Sequence, residues 1–408
     1  MIKKIVQLQY NPLYAGKQIL RLHHAFIGAG IDSCIISLYS GGENIEGSFV
    51  LGNSYKIIAS IDRKIQKRLT KNGDSNYGKF SYPVVGSDVS KLAQVREADI
   101  IYLHWVLDGF LSIGSFEKLA KLNKPLIFVL HDMWPITGGC HYSFDCEAYK
   151  TGCRNCPIFN SGKKNRIAEK GFRKKLKFYS RYDNIYFVSP SKWMYDCAQQ
   201  SMLTKGKPIF HIPNIVDRKI YKPFDKLAAR KILNIGESEI LIGFGAITIN
   251  SPYKGWKYLE EAFSILNNKY KKQNLTALIF GGGYNEAIVK GIPFNTKFLG
   301  YLHDDYSLAL AYNALDVFVV PSLADNFPTT IFESMSCGTP VVAFETGGIP
   351  EFIQHKVNGY LSRYKDADDI ANGIIFCIEN SVRGEILPEF DTEMTIYKHF
   401  ELFKNIIS

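Results

Sequence analysis

Two carboxylates bracket a helix start in the stretch Pro321-Ser322-Leu323-Ala324-Asp325-Asn326-Phe327-Pro328-Thr329-Thr330-Ile331-Phe332-Glu333. The stretch follows the apolar run Val317–Val320 and leads through Gly338-Thr339-Pro340 to a second apolar run, Val341–Phe344. Pro328 suits the first position of a helix, with Asn326 or Phe327 as its cap, and Gly338 followed by Pro340 ends it. A helix that opens where a strand ends presents unpaired amides and the positive end of a dipole. Thr329 and Thr330 would therefore aim their N–H groups at an anion. Asp325 in the loop and Glu333 in the helix flank such an anion sensibly only if they accept hydrogen bonds from hydroxyls. A nucleotide sugar offers both partners, sugar hydroxyls for Asp325 and ribose hydroxyls for Glu333. The plain alternative is a capped helix with one surface acid.

Other chemistry-bearing residues also sit where apolar runs end. Leu126–Leu130 runs into His131-Asp132-Met133-Trp134, and Ile100–Leu103 runs into His104-Trp105. His131 and Asp132 read as a pair in which the acid orients the ring. His104, Trp105, Asp132 and Trp134 are expected on the acceptor side of a site. Gly281-Gly282-Gly283 follows a strand and permits close backbone approach. It lacks dinucleotide-loop spacing, so Gly281 and Gly282 fit a loop near the donor base.

Cys140, Cys146, Cys153 and Cys156 follow a Cys-x5-Cys-x6-Cys-x2-Cys spacing in a Gly-, Tyr- and Asp-rich stretch with little core of its own. That spacing suits a structural tetrahedral Zn²⁺ that would fix the loop beside His131. Free thiols, a disulfide pair and an iron–sulfur cluster are the other readings. From Lys163 to Arg181 nine basic residues face one acid, Glu169, with Ile167, Phe172, Leu176, Phe178 and Tyr179 interleaved. This is a basic, partly amphipathic helix of the kind that meets anionic lipid surfaces. A solvated charged helix is its plain alternative.

The elements that must position these groups are short, continuously apolar strands alternating with helical segments. Strands are expected near Ile5–Leu8, Cys34–Leu38, Ile100–Leu103, Leu126–Leu130, Ile185–Val188 and Ile209–Ile212. In the second half they are expected near Leu241–Phe244, Ala277–Phe280, Lys297–Leu299, Val317–Val320 and Val341–Phe344. Continuous apolarity marks strands buried on both faces, and alternation with helices gives parallel sheets in an α/β fold. Two successive runs predict two doubly wound, Rossmann-like domains facing a central cleft. The expected division is 1–212 with a Cys-rich insert at 137–157, then 213–389. A last helix is expected at about 390–408.

Composition agrees with a globular chain. Of 408 residues, 46% are hydrophobic and 22% charged, which excludes disorder and a disulfide-stapled mini-protein. No uncharged apolar run nears the ~18 residues of a membrane span, and the N-terminus turns polar too early for a signal peptide. A reducing cytoplasm is expected, so cysteines are not read as disulfides by default. Residues 1–210 carry 30 Lys/Arg against 16 Asp/Glu, a net of +14, while the remainder is −4. Such a basic half attracts phosphorylated substrates or anionic lipid. Nucleic acid is the rival, but no recognition-helix or RNA-binding signature accompanies the charge.

In ordered motifs along nearly its whole length, the chain resembles the retaining GT-B glycosyltransferases of the large family 4 group. Asp325-x7-Glu333 stands where that family has Glu-x7-Glu. Gly347-Gly348-Ile349-Pro350-Glu351, Asn358-Gly359, Phe298-Leu299-Gly300, Tyr253-Lys254-Gly255 and Ile212-Pro213-Asn214 also match. The Asp-Asn-Phe-Pro form and the Cys-rich insert are similar to a bacterial subgroup that builds surface polysaccharides, such as O-antigen, capsule or exopolysaccharide. The resemblance implies that Lys254 neutralises the donor diphosphate, that His131 contacts the donor sugar near the reacting carbon, and that Gly16 cradles the diphosphate.

It also implies a last helix that packs back on the first domain, a UDP- or GDP-linked sugar donor, a lipid-linked oligosaccharide or polysaccharide acceptor, and transfer with retention. Catalysis would need no cofactor, and the enzyme would lie peripherally on the inner membrane face. The catalytic set is then His131, Lys254, Asp325 and Glu333. The donor site adds Gly16, Gly281, Gly282, Asn326, Phe327, Pro328, Thr329 and Thr330. Two departures stand out. Gly245–Asn250 lacks the arginine that often precedes the lysine, and Ala15-Gly16 keeps one glycine of the usual pair. They favour the alternative of a non-catalytic nucleotide-sugar-binding scaffold. A zinc-containing nucleic-acid binder is the more distant alternative.

Overall fold

The computed structural model describes residues 2–13, 17–42, 45–159, 166–249, 251–270, 274–283 and 290–407. Its backbone divides into two compact units, Met1–Ile215 with Asp391–Ser408, and Val216–Phe390. The first unit is built on β1 (Lys4–Gln9), β2 (Asp32–Ser37), β3 (Ser48–Val50), β4 (Ile100–Leu103), β5 (Leu126–Val129), β6 (Ile185–Ser189) and β7 (Ile209–His211). These form one parallel sheet in the order β3-β2-β1-β4-β5-β6-β7. The helices between them are α1 (Gln18–Gly28), α2 (Asn53–Leu69), α3 (Ala93–Glu97), α4 (Ile113–Ala120), α5 (Arg166–Arg181) and α6 (Lys192–Gln200).

The second unit opens with α7 (Lys226–Ile232). Its strands are β8 (Ile240–Thr248), β9 (Leu275–Gly282), β10 (Asn295–Phe298), β11 (Val317–Val320), β12 (Val341–Phe344) and β13 (Gly359–Ser362). They form a second parallel sheet ordered β10-β9-β8-β11-β12-β13. Its helices continue with α8 (Trp256–Lys269), α9 (Asp305–Ala314), α10 (Thr329–Ser336) and α11 (Ala367–Glu379), and the chain ends in α12 (Thr392–Ile407). Strand order in both sheets rises in opposite directions from one internal pair, β1/β4 in the first and β8/β11 in the second. In doubly wound sheets ligands bind outside the carboxyl ends of the strands at such a reversal.

Period-two alternation along the central strands explains why both faces are dry. Val6, Leu8, Ile101, Leu103, Leu126 and Phe128 enter one core layer with α4 and α5. Ile5, Ile100, Tyr102, Ile127 and Val129 enter the other. There they meet Phe26 of α1 and Leu402 and Phe403 of α12. The α12 helix is tied down further by His399, whose Nδ1 lies 3.0 Å from the buried Tyr102 hydroxyl. The final helix of the chain is thus part of the first unit.

Two elements differ from the sequence reading. Both β3 and β13 are edge strands. The first, Ser48-Phe49-Val50, leaves Phe49 and Val50 exposed, so it lacks the apolar signature of a buried strand. The second begins at a glycine.

Candidate active site

In the second unit the site residues follow the two strands at the reversal. A single turn, Tyr253-Lys254-Gly255, comes after β8, and the loop 321–328 comes after β11. The two are locked together by backbone. Leu323 N–H donates to the Tyr253 carbonyl at 2.8 Å. Gly255 adopts φ +72°, and a Cβ there would stand 1.7 Å from the Pro321 carbonyl oxygen. Only glycine permits that approach. It seats Lys254 Nζ 2.7 Å from Asp325 Oδ2. The Asp325 side chain retains 8% of its surface and that of Lys254 28%. Burial alone would lower the Lys254 pKa, but the Asp325 carboxylate overrides it and raises the pKa, so the ammonium is held charged. The lysine and the acid, given separate ligands by sequence, form a salt bridge with each other.

The α10 helix begins at Thr329, with Pro328 as its N-cap and no side-chain cap. Pro328 therefore stands one position earlier than expected. Asn326 and Phe327 precede the cap. The first amides of such a helix have no intrahelical acceptor, and Thr329 and Thr330 are half-buried beside them. Glu333, buried on the next turn, accepts a hydrogen bond from the Tyr312 hydroxyl at 3.2 Å. Asn326 is buried as well.

Three donor-site expectations in this unit are revised or fall outside it. Phe327 stacks on Phe332 at 4.5 Å and packs on Phe352 at 4.8 Å, so its ring is a core anchor that holds the loop. Gly281 and Gly282 lie at the end of β9. A Cβ on Gly281 would meet the Ala246 carbonyl oxygen at 1.8 Å, so the requirement for glycine comes from strand packing against β8. Gly16, in the first unit, lies outside the described residues.

In the first unit the pairing of β4 with β5 brings two histidines together. His104 follows β4 and His131 follows β5, and His104 Nδ1 lies 2.9 Å from His131 Nε2 with the rings stacked at 5.2 Å. The other nitrogen of His104 lies 3.0 Å from Gln7 Oε1. His104 is 7% exposed, and it lines both pockets that His131 lines. It orients His131, the part the sequence reading gave to Asp132. Asp132 instead holds His141, with Oδ2 2.6 Å from Nδ1, and caps the Trp134 amide at 2.8 Å. Burial lowers the His131 pKa to about 4 despite the nearby Asp132 charge. His131 lines a pocket with Gln18, His104, Asn214, Ile215 and His399. It also lines a second pocket with His104, Trp105 and Asp132. Trp105 is half-buried at the strand end, its ring 4.3 Å from Lys79 Nζ.

Trp134 is core rather than acceptor surface. It is 3% exposed, and its indole N–H donates to the Ser81 carbonyl at 3.0 Å. Beneath it Lys175, 2% exposed, donates to the carbonyls of Trp134 and Thr137, with Nζ 3.5 Å from the indole centroid. The apolar side of α5 is likewise buried through Phe172, Phe178 and Tyr179. What α5 offers to solvent is mainly charge: Arg166, Lys170, Arg173, Lys174, Lys177 and Arg181, with Ser180. Lys163 and Lys164 lie outside the described residues.

The zinc expectation finds no support. Cys140, Cys146, Cys153 and Cys156 do line one pocket, with Tyr77, Phe80, Tyr149 and Ile158. Among the described residues, however, no group of three or more His, Cys, Asp or Glu side chains is placed to hold a metal ion. A tetrahedral zinc needs its sulfurs about 2.3 Å from one point. Burial holds Cys153 as a thiol, its pKa pushed up to about 12, and Cys153 Sγ accepts from the Gly138 amide at 3.1 Å. The insert is ordered by packing instead. Ile136, Tyr149, Ile158 and Phe159 join the main core, and Phe80 meets Phe159 edge-on at 4.8 Å.

Sequence reasoning missed Gln7, Ser33 and His23, which support His104 from behind. The available signal was Gln7 itself, a polar residue inside an otherwise apolar central strand. A buried amide must find partners.

Comparison with known proteins places this geometry. Residues 239–380 match the family model described as "Glycosyl transferases group 1". The chain is 25% identical over 272 residues to the putative colanic acid biosynthesis glycosyl transferase WcaC of Escherichia coli, covering 62% of this chain and 60% of that protein. It is 22% identical over 351 residues to the N-acetyl-alpha-D-glucosaminyl L-malate synthase of Bacillus anthracis, 82% of each. Its matches span 60%, 52% and 47% of the length of three curated glycosyltransferase relatives. Among solved structures, the sucrose-phosphate synthase of Thermosynechococcus elongatus superposes with a TM-score of 0.64 at 15% identity over 99% of both chains. HepE of Anabaena, solved with UDP-glucose, superposes with a TM-score of 0.63 at 19% identity, covering 98% of this chain and 99% of that one. The fold is that of the GT-B glycosyltransferases.

Proposed function

We propose that the protein is a glycosyltransferase that moves a sugar from a UDP- or GDP-linked donor, with retention, to a lipid-linked or polysaccharide acceptor in bacterial surface-glycan synthesis. The observation that carries this reading is the Lys254–Asp325 pair beside the start of α10, with Glu333 one turn on, at the strand-order reversal of the unit that matches group 1 glycosyltransferases. A diphosphate arriving there meets the Lys254 ammonium and the Thr329 and Thr330 amides. As the phosphate displaces the Asp325 carboxylate from Lys254, that carboxylate becomes an acceptor for sugar hydroxyls. Glu333 takes the ribose.

Departure of the nucleoside diphosphate builds charge on its β-phosphate, and a fixed cation with aligned amides stabilises that charge. No side-chain nucleophile is assigned. The acceptor hydroxyl attacks the face that the leaving group departs from and passes its proton to the β-phosphate, so the protein acts by positioning and by charge. His131 contacts the sugar.

The test is a thermal-shift panel of nucleoside-diphosphate sugars followed by a transfer assay. One donor is expected to raise the melting temperature in a concentration-dependent way, since a ligand of the native state stabilises by mass action. Stabilisation without hydrolysis or transfer would identify a binding scaffold of the same fold, and no response to any donor would remove the reading.

The acceptor side of the proposal includes an anionic membrane surface. The exposed face of α5 supports it with six basic residues, each near-surface charge contributing ~1 kcal/mol. Charge reversal at Lys170 and Lys177 is therefore expected to lower sedimentation with phosphatidylserine vesicles several-fold while leaving neutral vesicles unaffected. Equal loss on both would refute the electrostatic attachment. Among the described residues no helix is long and apolar enough to cross a membrane.

A further inference from the structure

Behind His131 runs an unbroken line of buried polar side chains. The His23 ring places Nε2 3.0 Å from the Glu46 carbonyl oxygen and Nδ1 2.9 Å from Ser33 Oγ. Gln7 Nε2 donates to Ser33 Oγ at 3.0 Å, and Gln7 Oε1 lies 3.0 Å from His104 Nε2. His104 Nδ1 then lies 2.9 Å from His131 Nε2. Four strand ends or interiors contribute: Gln7 from β1, Ser33 from β2, and His104 and His131 from just beyond β4 and β5.

A backbone carbonyl can only accept, and this decides the direction of every link. His23 must carry its proton on Nε2. A neutral His23 therefore accepts at Nδ1, so the Ser33 hydroxyl donates to it and accepts from the Gln7 amide. Gln7 then turns its oxygen to His104, which carries its proton on Nε2 and accepts at Nδ1. His131 must supply that last proton from Nε2. Reversing the line would require His23 to donate from both nitrogens as an imidazolium while fully buried. Burial lowers the His23 pKa and disfavours that state.

We infer that the line from the Glu46 carbonyl through His23, Ser33, Gln7 and His104 is a one-way hydrogen-bond relay that fixes His131 as the Nε2–H tautomer, making its Nδ1 an acceptor only. The inference rests, for its use, on the reading that His131 meets the substrate. An acceptor-only nitrogen takes a hydrogen bond from a substrate hydroxyl and repels a carboxylate or phosphate oxygen. Gln7 and His104 are then positioning residues, and His131 selects for a neutral sugar over one bearing an anionic group at that place.

The test is nitrogen NMR of the full chain labelled with ¹⁵N-histidine, with the His131 signals identified by their loss in His131→Gln. Wild type is expected to show His131 with Nε2 protonated and Nδ1 bare, and a protonated Nδ1 would overturn the relay. In Gln7→Met, His104 loses its acceptor. The His131 signals are expected to shift toward the Nδ1–H form, with kcat lower by about tenfold or more and KM little changed. Gln7→Glu keeps an oxygen facing His104 and is expected to restore the wild-type His131 pattern. An unaltered His131 pattern in Gln7→Met refutes the relay, and if that variant fails to fold the wild-type spectrum decides alone. The spectrum needs no substrate. The expected tautomer in a protein that transfers no sugar sinks the functional reading and leaves the relay standing, and a transferring enzyme with the opposite tautomer does the reverse.

Discussion

Lys254→Ala is expected to lower glycosyl transfer by about 10²–10³-fold, the loss seen when one preorganised charge-stabilising donor is removed from a water-excluded site. The difficulty is that Lys254 is also half of a salt bridge with a nearly buried acid. Removing one partner of a buried pair leaves the other charge uncompensated and can cost 3–5 kcal/mol on the order-of-magnitude scale. Loss of activity in the single variant could therefore reflect a damaged loop. The double variant Lys254→Ala/Asp325→Asn, compared with Asp325→Asn alone, separates the two effects. With the carboxylate neutralised, the stability of the loop is expected to return while transfer stays low. Recovery of both by the double variant would make the pair a structural device and remove Lys254 from the mechanism. The cycle is informative because the two side chains are in contact and their effects must couple.

The second large effect concerns Lys175 and is visible in stability alone. Burial lowers its pKa to about 7, against the pull of neighbouring Cys153, Cys140 and Asp132. An unfolded chain has its lysine at about 10.4. Between these values the unfolded state binds a proton that the folded state does not, so stability rises with pH, by up to about 1.4 kcal/mol per unit. Below about pH 7 both states are charged and the cost of burying the ammonium is felt in full; it amounts to at most about 5 kcal/mol. Urea unfolding of wild type and Lys175→Met at pH 7 and pH 9.5 tests this. The wild-type protein is expected to gain several kcal/mol relative to the variant across that interval. A constant difference would mean that the indole face and the Trp134 and Thr137 carbonyls keep the ammonium charged throughout.

Much of the architecture could be read before any coordinates, for a specific reason. A strand covered on both faces must be apolar at every position, so Ile100–Leu103 and Val317–Val320 declare themselves. Where that condition lapses, so does the signal, as in the exposed edge strand Ser48-Phe49-Val50. The candidate site divides the same way. Lys254, Asp325 and Glu333 stand out as candidates because short motifs carry them. That Lys254 and Asp325 are bonded to one another across 71 residues of chain depends on which strands are neighbours, and no local pattern reports that. Phe327 was misjudged because a residue next to a helix cap and an aromatic core anchor look alike in one dimension. Lys175 was counted as surface charge because eight other basic residues surround it between Lys163 and Arg181. The relay behind His131 joins positions 7, 23, 33, 46, 104 and 131, and only the parallel register of β1, β2, β4 and β5 brings them into line.

The helix that closes the chain has a consequence for how the protein is made. The first unit needs Leu402, Phe403 and His399 to cover Tyr102 and Phe26, and those residues leave the ribosome after the whole of the second unit. Val216–Phe390, by contrast, is one uninterrupted stretch. Although domains generally mature in order of synthesis, here the later-translated body has all its parts first. The earlier one must wait with an apolar sheet face uncapped until α12 has been made, so a nascent chain stalled before α12 carries its aggregation hazard in the half that was born first.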